Sequence, residues 1–343
     1  MGGTKVAVLV VDAWRHIRSR VVVPPDLTSP QRTLTGIAAA IRQALEMGSA
    51  SLHEVAGIGL GIPGRVDPQT GVVHLAVNLN WRDMSVRAWL SEELGVPCFL
   101  EKDVRAAALG ARLCKGNSSV QNMAYVSVGT GIGAGVILQG RLYHGTHGMA
   151  GEIGHMIVEP NGPRCQCGAQ GCLEALAAGP AIARLAQQAV SSGQETRLRD
   201  YSPLTAESVY QAAEAGDAAA QAVADVVGHR LGRALQVLVM TYDVEEVVLG
   251  GGVSRAGHAF LEPILRELER QRQQSALARE MLRLEMFKLL PSNCDAGTWG
   301  AVAIAEQSLR DSFREKGGVN EISHTLPALE EPFDNRESNL SQS

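Results

Sequence analysis

The sequence has few aromatic residues, little net charge and no long apolar run, and each shortage excludes a class of protein. Aromatic residues make up 4% of 343 residues, which argues against stacking platforms for single-stranded nucleic acid. The net charge is −5, from 31 Lys and Arg against 36 Asp and Glu, so no strong positive field can hold a nucleic-acid backbone. No run approaches the roughly 20 apolar residues of a membrane span, and the start lacks a signal-peptide pattern. We expect a cytoplasmic protein whose partners include neither nucleic acid nor a membrane.

Strand and helix patterns alternate through both halves of the chain, which predicts an α/β fold with two lobes. In the first half, β-branched residues predict strands at Lys5–Val11 and Ile17–Val23. Ser29-Pro30 then opens a helix, with Ser as the cap and Pro in the first turn. In the second half, strands are predicted at Met123–Val128 and Glu246–Leu249.

The division into lobes follows from this order of elements. We predict an N-terminal α/β lobe at 1–121, closed by a helix at 297–315, and a C-terminal α/β lobe at 122–296. The C-terminal lobe contains a cysteine-rich loop at 145–174. Residues 316–343 mix Gly, Pro, Asn, Ser and Glu without periodicity, which predicts a disordered tail.

The most specific motif is one histidine followed by three closely spaced cysteines. His155, Cys165, Cys167 and Cys172 supply one imidazole and three thiolates, a complete tetrahedral ligand set for zinc. Because the protein fills all four positions and leaves none for an activated water, the predicted zinc is structural. The alternative is three reduced cysteines in a loop. Disulfides are not expected, and three other cysteines are interpreted as small apolar residues: Cys98, Cys114 and Cys294.

Three glycine-rich turns, each beside a predicted strand, form the second group of motifs. Glycine lets main-chain N–H groups approach phosphate oxygens, and a Thr hydroxyl adds a donor. One such turn alone indicates only a tight hairpin, whereas three in one α/β chain favour a nucleotide site. The turns are Gly2-Gly3-Thr4-Lys5, Gly129-Thr130-Gly131-Ile132-Gly133 and Gly250-Gly251-Gly252.

Three carboxylates beside these motifs are candidates for binding a substrate or accepting a proton from it. Asp103 follows a predicted strand and starts a predicted helix, so it is either a helix cap or a base that accepts a proton from a hydroxyl. Glu152 and Glu174 flank the cysteine motif, where a structural ion could hold both to bind vicinal hydroxyls. The alternative for each glutamate is a solvated loop residue.

Together these motifs resemble the ROK family of repressors, open reading frames and kinases, over about residues 2–312. The markers, in order, are Gly2-Gly3-Thr4-Lys5, Gly61-Ile62-Pro63-Gly64 with Val66-Asp67, Asn78-Leu79-Asn80-Trp81, Asp103, Gly129–Gly133, Gly151-Glu152-Ile153-Gly154-His155, Cys165-Gln166-Cys167-Gly168, Gly171-Cys172-Leu173-Glu174 and Leu249–Gly252. The resemblance implies a two-lobed actin-like (ribonuclease H-like) ATPase fold with ATP and Mg²⁺ in the cleft.

The activity that the resemblance implies is transfer of the γ-phosphoryl group of ATP to a hexose, most often at the 6-hydroxyl. Asp103 falls on the catalytic base of the family. The other roles carried over are sugar contacts at Gly64, Lys102, Glu152, His155 and Glu174, and ATP contacts at Gly3, Thr4, Lys5, Gly129, Thr130, Gly131, Gly133, Gly250, Gly251 and Gly252. The pattern around the cysteine motif is similar to glucokinase-like members, which also implies a homodimer or homotetramer.

Two positions depart from the family pattern. Where the family has Asn-Asp, this chain has Lys102-Asp103, and because Lys donates hydrogen bonds but accepts none, we expect different sugar discrimination here. The family also reads strand, then Asp-x-Gly-Gly-Thr, whereas this chain begins at the x position with Met1. The expectation is that Met1 is an internal methionine and that the strand and the magnesium-side Asp lie upstream.

Several alternatives to a glucokinase remain, and some of them are not kinases. An N-acetylmannosamine kinase or a fructokinase fits the same motifs. A sugar-binding ROK protein with decayed catalysis fits the two departures. A transcriptional regulator of the family would carry a helix-turn-helix domain before the first glycine motif.

Overall fold

The structure is a computed structural model that describes residues 1, 4–115 and 119–315. Gly3 of the first glycine turn and the predicted tail at 316–343 lie outside the described residues. The described strands are β1 (Val6–Val11), β2 (Ile17–Val23), β3 (Ile58–Ile62), β4 (Arg65–Asp67), β5 (Val72–Ala76), β6 (Trp81–Met84), β7 (Cys98–Lys102), β8 (Met123–Val128), β9 (Ile132–Leu138), β10 (Arg141–Leu142), β11 (Glu246–Gly250) and β12 (Phe287–Leu289).

The α-helices alternate with these strands in both halves of the chain. They are α1 (Pro30–Met47), α2 (Val86–Leu94), α3 (Asp103–Cys114), α4 (Leu173–Ala177), α5 (Gly179–Ser191), α6 (Ala206–Glu214), α7 (Ala218–Tyr242), α8 (His258–Gln274), α9 (Ala276–Met281) and α10 (Ala296–Glu315). Among the described residues, no helix combines the length and the apolar character needed to cross a membrane.

The chain divides into two compact units, each with its own core. The first unit contains Met1–Val120, His144–Met149 and the described residues from Asn293 on, and the second contains Gln121–Tyr143 and Ala150–Ser292. The predicted lobes ended at 121 and at 296. No local sequence pattern marks His144–Met149 as part of the first unit.

The second unit is built on one five-stranded sheet with the order β10-β9-β8-β11-β12. The central strands β8 and β11 pair in parallel, β12 continues in parallel, and β9 and β10 are antiparallel. Every residue of β11 is buried, as expected for a strand covered on both faces. The longest helix among the described residues, α7, begins where the Asp217 carboxylate caps it by accepting a hydrogen bond from the Ala220 amide at 2.8 Å.

The described strands of the first unit form three separate sheets. They are the antiparallel pair β1-β2, the parallel pair β3-β7 and the antiparallel hairpin sheet β4-β5-β6. The Ser29 hydroxyl accepts a hydrogen bond from the Arg32 amide, so the predicted cap of α1 is confirmed. Alternating α and β elements in both units confirm the predicted α/β fold class.

The prediction that the six cysteines form no disulfide is wrong for one pair. Cys114, at the end of α3, and Cys294, just before α10, are joined by a disulfide across a sequence separation of 180 residues. The two helices approach each other at glycines, since a Cβ built on Gly110 would lie 1.9 Å from the Ala296 carbonyl oxygen. This close packing brings together Cys114 and Cys294, which lie far apart in the sequence. Cys98 is a buried free thiol in β7.

Candidate functional site

Two of the predicted glycine turns lie side by side in the second unit. Gly129–Gly133 follows β8, and Gly250–Gly252 ends and follows β11; because these strands are parallel neighbours, both turns lie at the same edge of the sheet. A Cβ on Gly129 would lie 3.7 Å from the Gly252 amide nitrogen, and one on Gly251 would lie 2.4 Å from the Val128 carbonyl oxygen. Gly251 also has a φ of 90°, which favours glycine. The two turns therefore present closely spaced backbone groups, as phosphate-binding loops do.

The Glu174 carboxylate is attached to the first of these turns. Its Oε2 accepts a hydrogen bond from the Ile132 amide at 2.9 Å, and a Cβ on Gly131 would lie 2.5 Å from the same oxygen. Helix α5 also contacts the turn, because the Gly179 amide donates to the Gly129 carbonyl oxygen at 2.8 Å. Thr130 stays exposed at the tip of the turn. Glu174 is thus half-buried and hydrogen-bonded in this structure.

The four predicted metal ligands converge. The ligand atoms of His155, Cys165, Cys167 and Cys172 all lie within 4.8 Å of one another. The Cys165 Sγ lies 3.7 Å from His155 Nδ1, and the Cys167 and Cys172 sulfurs are 3.6 Å apart. A tetrahedron with metal–sulfur bonds of about 2.3 Å has edges of about 3.8 Å, so these separations fit one four-coordinate metal.

Short-range hydrogen bonds shape the loop that carries the cluster. The Cys165 amide donates to the Ala169 carbonyl oxygen at 2.8 Å, and the Gly168 amide donates to the Cys165 carbonyl oxygen at 3.0 Å. A Cβ on Gly171, where φ is 75°, would lie 1.6 Å from the Glu159 carbonyl oxygen, so only glycine fits. Burial, with the neighbouring thiols, raises the pKa of Cys172 to about 12. Burial thus disfavours the Cys172 thiolate, which a bound cation would stabilise.

Glu152 and His155 are separated by one short turn in the same loop. The His155 amide donates to the Glu152 carbonyl oxygen at 3.1 Å, and both side chains retain access to solvent. A hydrogen bond joins this turn to the residues after Cys172, because the Leu173 amide donates to the Met156 carbonyl oxygen at 2.9 Å. The loop that holds the metal ligands therefore also holds Glu152 and Glu174.

In the first unit, β7 ends at Lys102 and Asp103 begins α3. The Asp103 Oδ1 accepts a hydrogen bond from the Val104 amide at 2.8 Å, so the carboxylate lies at the helix N-terminus. Gly64 has a φ of 103°, and a Cβ there would lie 2.1 Å from the Leu75 carbonyl oxygen. The remaining candidates in this unit, Thr4 and Lys5, are exposed just before β1.

A buried ion pair beside Asp103 was not assigned any role from the sequence. Glu101 is 3% exposed and Arg105 is fully buried, and the Arg105 Nε donates to Glu101 Oε1 at 2.6 Å. The His144 Nε2 lies 2.6 Å from the other oxygen, Oε2. Burial opposes ionisation of Glu101, but the hydrogen bond with His144 and the charge of Arg105 outweigh it and lower the pKa of the carboxyl.

A cavity of about 670 Å³ lies within the first unit beside this ion pair. It is lined by the hairpin residues Arg65–Gln69, by His74 and by the segment His144–Met149. Asp103 and Gly64 are not among the lining residues. The cavity is therefore distinct from the strand end that carries the candidate base.

A comparison with family models matches residues 1–308 to the ROK family. Among curated proteins, the chain is 36% identical over 327 residues to a glucokinase from Halalkalibacterium halodurans, covering 94% of this chain and 97% of that protein.

Solved structures give the same match. A ROK hexokinase from Thermus thermophilus has a TM-score of 0.75 at 32% identity, covering 91% of this chain and 97% of that one. A ROK family glucokinase from Streptomyces griseus, crystallised with glucose and AMPPNP, has a TM-score of 0.74 at 30% identity, covering 90% and 97%.

Proposed function

This chain belongs to the ROK family, and on that premise we propose that it is an ATP-dependent hexose kinase that phosphorylates glucose at the 6-hydroxyl. The observation that carries the proposal is the connection between the metal-binding loop and the glycine turn. Glu174 lies two residues after the ligand Cys172, and its carboxylate accepts a hydrogen bond from the Ile132 amide of that turn. The residues proposed to hold a sugar and those proposed to hold phosphate are thus physically joined.

The proposed chemistry assigns each group one task. Asp103 accepts the proton of the attacking sugar hydroxyl as the phosphoryl group is transferred. Backbone N–H groups of Gly129–Gly133 and the Thr130 hydroxyl bind the phosphates of ATP, and Gly250–Gly252 lies on the adenosine side. Mg²⁺, assigned by resemblance alone, neutralises phosphate charge when bound. The sugar contacts proposed are Gly64, Lys102, Glu152, His155 and Glu174.

We propose that the Cys₃His cluster holds a structural zinc ion. Its separations fit a tetrahedral site, and all four positions are protein ligands. Bound zinc would neutralise the thiolates and fix the backbone of the loop, which orients Glu152 and Glu174. A cytoplasmic location and a homodimer or homotetramer remain predictions from the sequence.

The direct test is ADP release in a coupled assay with a panel of hexoses, including glucose, fructose and N-acetylmannosamine. We expect phosphorylation of glucose. Turnover of another member of the panel alone would replace glucose with that sugar, and sugar binding without turnover would favour the decayed-enzyme alternative.

Two substitutions test the site. Asp103→Asn keeps the shape but removes the basicity, so kcat should fall on the order of 100-fold while sugar binding is retained. Asp225→Asn, at an exposed residue paired with Arg266, is the control and should leave kcat unchanged. Near wild-type turnover by Asp103→Asn would refute the assignment. Lys102→Asn restores the family pair and should raise kcat/KM for at least one hexose.

A further inference from the structure

One buried carboxylate, Glu101, is bonded to three parts of the first unit. Its Oε1 accepts hydrogen bonds from the Lys102 amide at 2.7 Å and from Arg105 Nε at 2.6 Å, and its Oε2 lies 2.6 Å from His144 Nε2. Arg105 in turn donates from Nη1 to the Gly148 carbonyl oxygen at 2.7 Å. A single ion pair therefore contacts the strand end before Asp103, the first turn of α3 and both ends of the segment His144–Gly148.

This ion pair is poorly built for stability alone. Among the described residues, the buried Arg105 Nη2 has no hydrogen-bond partner, and an unpaired buried donor costs about 1–3 kcal/mol. A buried ion pair is in general no more stabilising than apolar side chains of the same volume. What the pair provides is orientation, because the planar guanidinium holds two acceptors in fixed directions.

The segment held by the pair occupies a special place in the chain. His144–Met149 belongs to the first unit, whereas the residues on both sides of it belong to the second. Gly145 and Gly148 have φ values of 71° and 66°, so the segment turns at both positions. Its end leads directly to Gly151 and Glu152. Glu101 is thus close in the chain to Asp103, and its partner Arg105 donates to the Gly148 carbonyl oxygen, in the segment that leads to Glu152.

We propose that Glu101, Arg105 and His144 are positioning residues for the phosphoryl transfer, which fix Asp103 on one side and the segment leading to Glu152 on the other. The proposal rests on the function proposed above. It predicts that loosening the network lowers kcat more than it changes the KM for ATP, because the glycine turns of the second unit are untouched.

The test uses His144, whose side chain is 40% exposed, so that its removal leaves Glu101 paired with Arg105. The chain offers a matched control in His229, 48% exposed and 2.8 Å from the equally buried Glu267, which also keeps an arginine partner. A displacement of 1 Å at a reacting group costs on the order of 100-fold in rate. Because Glu101 stays paired with Arg105 in His144→Ala, kcat should fall by less than that, about tenfold, and the KM for ATP should stay within about twofold. His229→Ala should leave kcat unchanged.

Two more variants separate positioning from simple packing. His144→Gln keeps a donor for Glu101 and should recover most of the lost kcat. Arg105→Lys keeps the positive charge but loses the fork that reaches Gly148, so its kcat should fall as in His144→Ala. If His144→Ala and Arg105→Lys both keep wild-type kcat, or if His229→Ala loses as much as His144→Ala, the proposal is overturned.

Hydrogen exchange keeps the proposal testable apart from the activity. Amides at 144–152 and at 101–104 should exchange at least about tenfold faster in His144→Ala than in the wild type, and those of α7 should not change. A wild type that phosphorylates no hexose would refute the proposed function, and the exchange experiment would still decide whether the network positions these residues. Unchanged exchange at both segments would overturn it.

Discussion

Helices α3 and α10 contact each other backbone to backbone, and this contact supports a quantitative prediction for Gly110→Ala. The new Cβ would lie 1.9 Å from the Ala296 carbonyl oxygen and 2.6 Å from the Gly300 amide nitrogen. Ordinary contact begins at about 3.4 Å, so the helices would have to separate by about 1.5 Å. Both neighbours are backbone atoms of α10, and no side-chain rotation can relieve the overlap.

The expected loss of stability follows from two opposing effects. Overpacking costs about 1–3 kcal/mol, and because only a backbone shift can relieve this overlap, we take the upper end, about 3 kcal/mol. Alanine gains about 1 kcal/mol over glycine as a helix former. Gly110→Ala should therefore lower the free energy of unfolding by about 2 kcal/mol. Because Asp103 is the first residue of α3, kcat should also fall by at least about tenfold.

The control is Gly36→Ala in α1, where a built Cβ has no neighbour within 4 Å. That variant should gain up to about 1 kcal/mol from helix propensity alone and keep wild-type kcat. Urea denaturation with a common m-value measures both free energies, and the coupled assay measures kcat. If Gly110→Ala were as stable and as active as Gly36→Ala, the close approach of the two helices would be wrong.

Three further changes test the metal site, the disulfide and a buried carboxylate. Cys167→Ser should lose most bound zinc and most sugar affinity, measured by elemental analysis and calorimetry; a variant that keeps a full equivalent of zinc would contradict the ligand assignment. Reducing the Cys114–Cys294 bond should lower the free energy of unfolding by up to about 5 kcal/mol, since it closes a long loop; in Cys114→Ser the reductant should have no such effect, and an equal effect there would refute the link. Burial opposes ionisation of Glu267, but its hydrogen bonds outweigh this and lower its pKa to about 2 from 4.5. Its contribution is therefore full above about pH 4.5 and is lost as the pH falls toward 2; acid denaturation of Glu267→Gln should lack this loss, and identical curves would contradict it.

The sequence by itself determined the features that depend on neighbours along the chain. The spacing of His155, Cys165, Cys167 and Cys172 predicted a metal cluster because the glycines between them let a short loop fold tightly around an ion, and their ligand atoms do converge. The cap of α1 at Ser29 and the strands predicted at Ile17–Val23 and Met123–Val128 followed in the same way, since caps and β-branched runs act locally.

Only the tertiary structure decided which distant residues meet. The parallel pairing of β8 with β11 places two glycine turns side by side, although the sequence of each turn by itself indicates only a hairpin. No local pattern marked His144 as the partner of Glu101 across 43 residues, or Cys114 as the partner of Cys294 across 180. Such contacts depend on how whole elements pack, and Gly110 with Gly300 allows α3 to approach α10 closely enough for the two cysteines to bond. Local sequence patterns thus identify the residues with suitable side-chain chemistry. Which of these residues come together in a site depends on the packing of elements that are far apart in the chain.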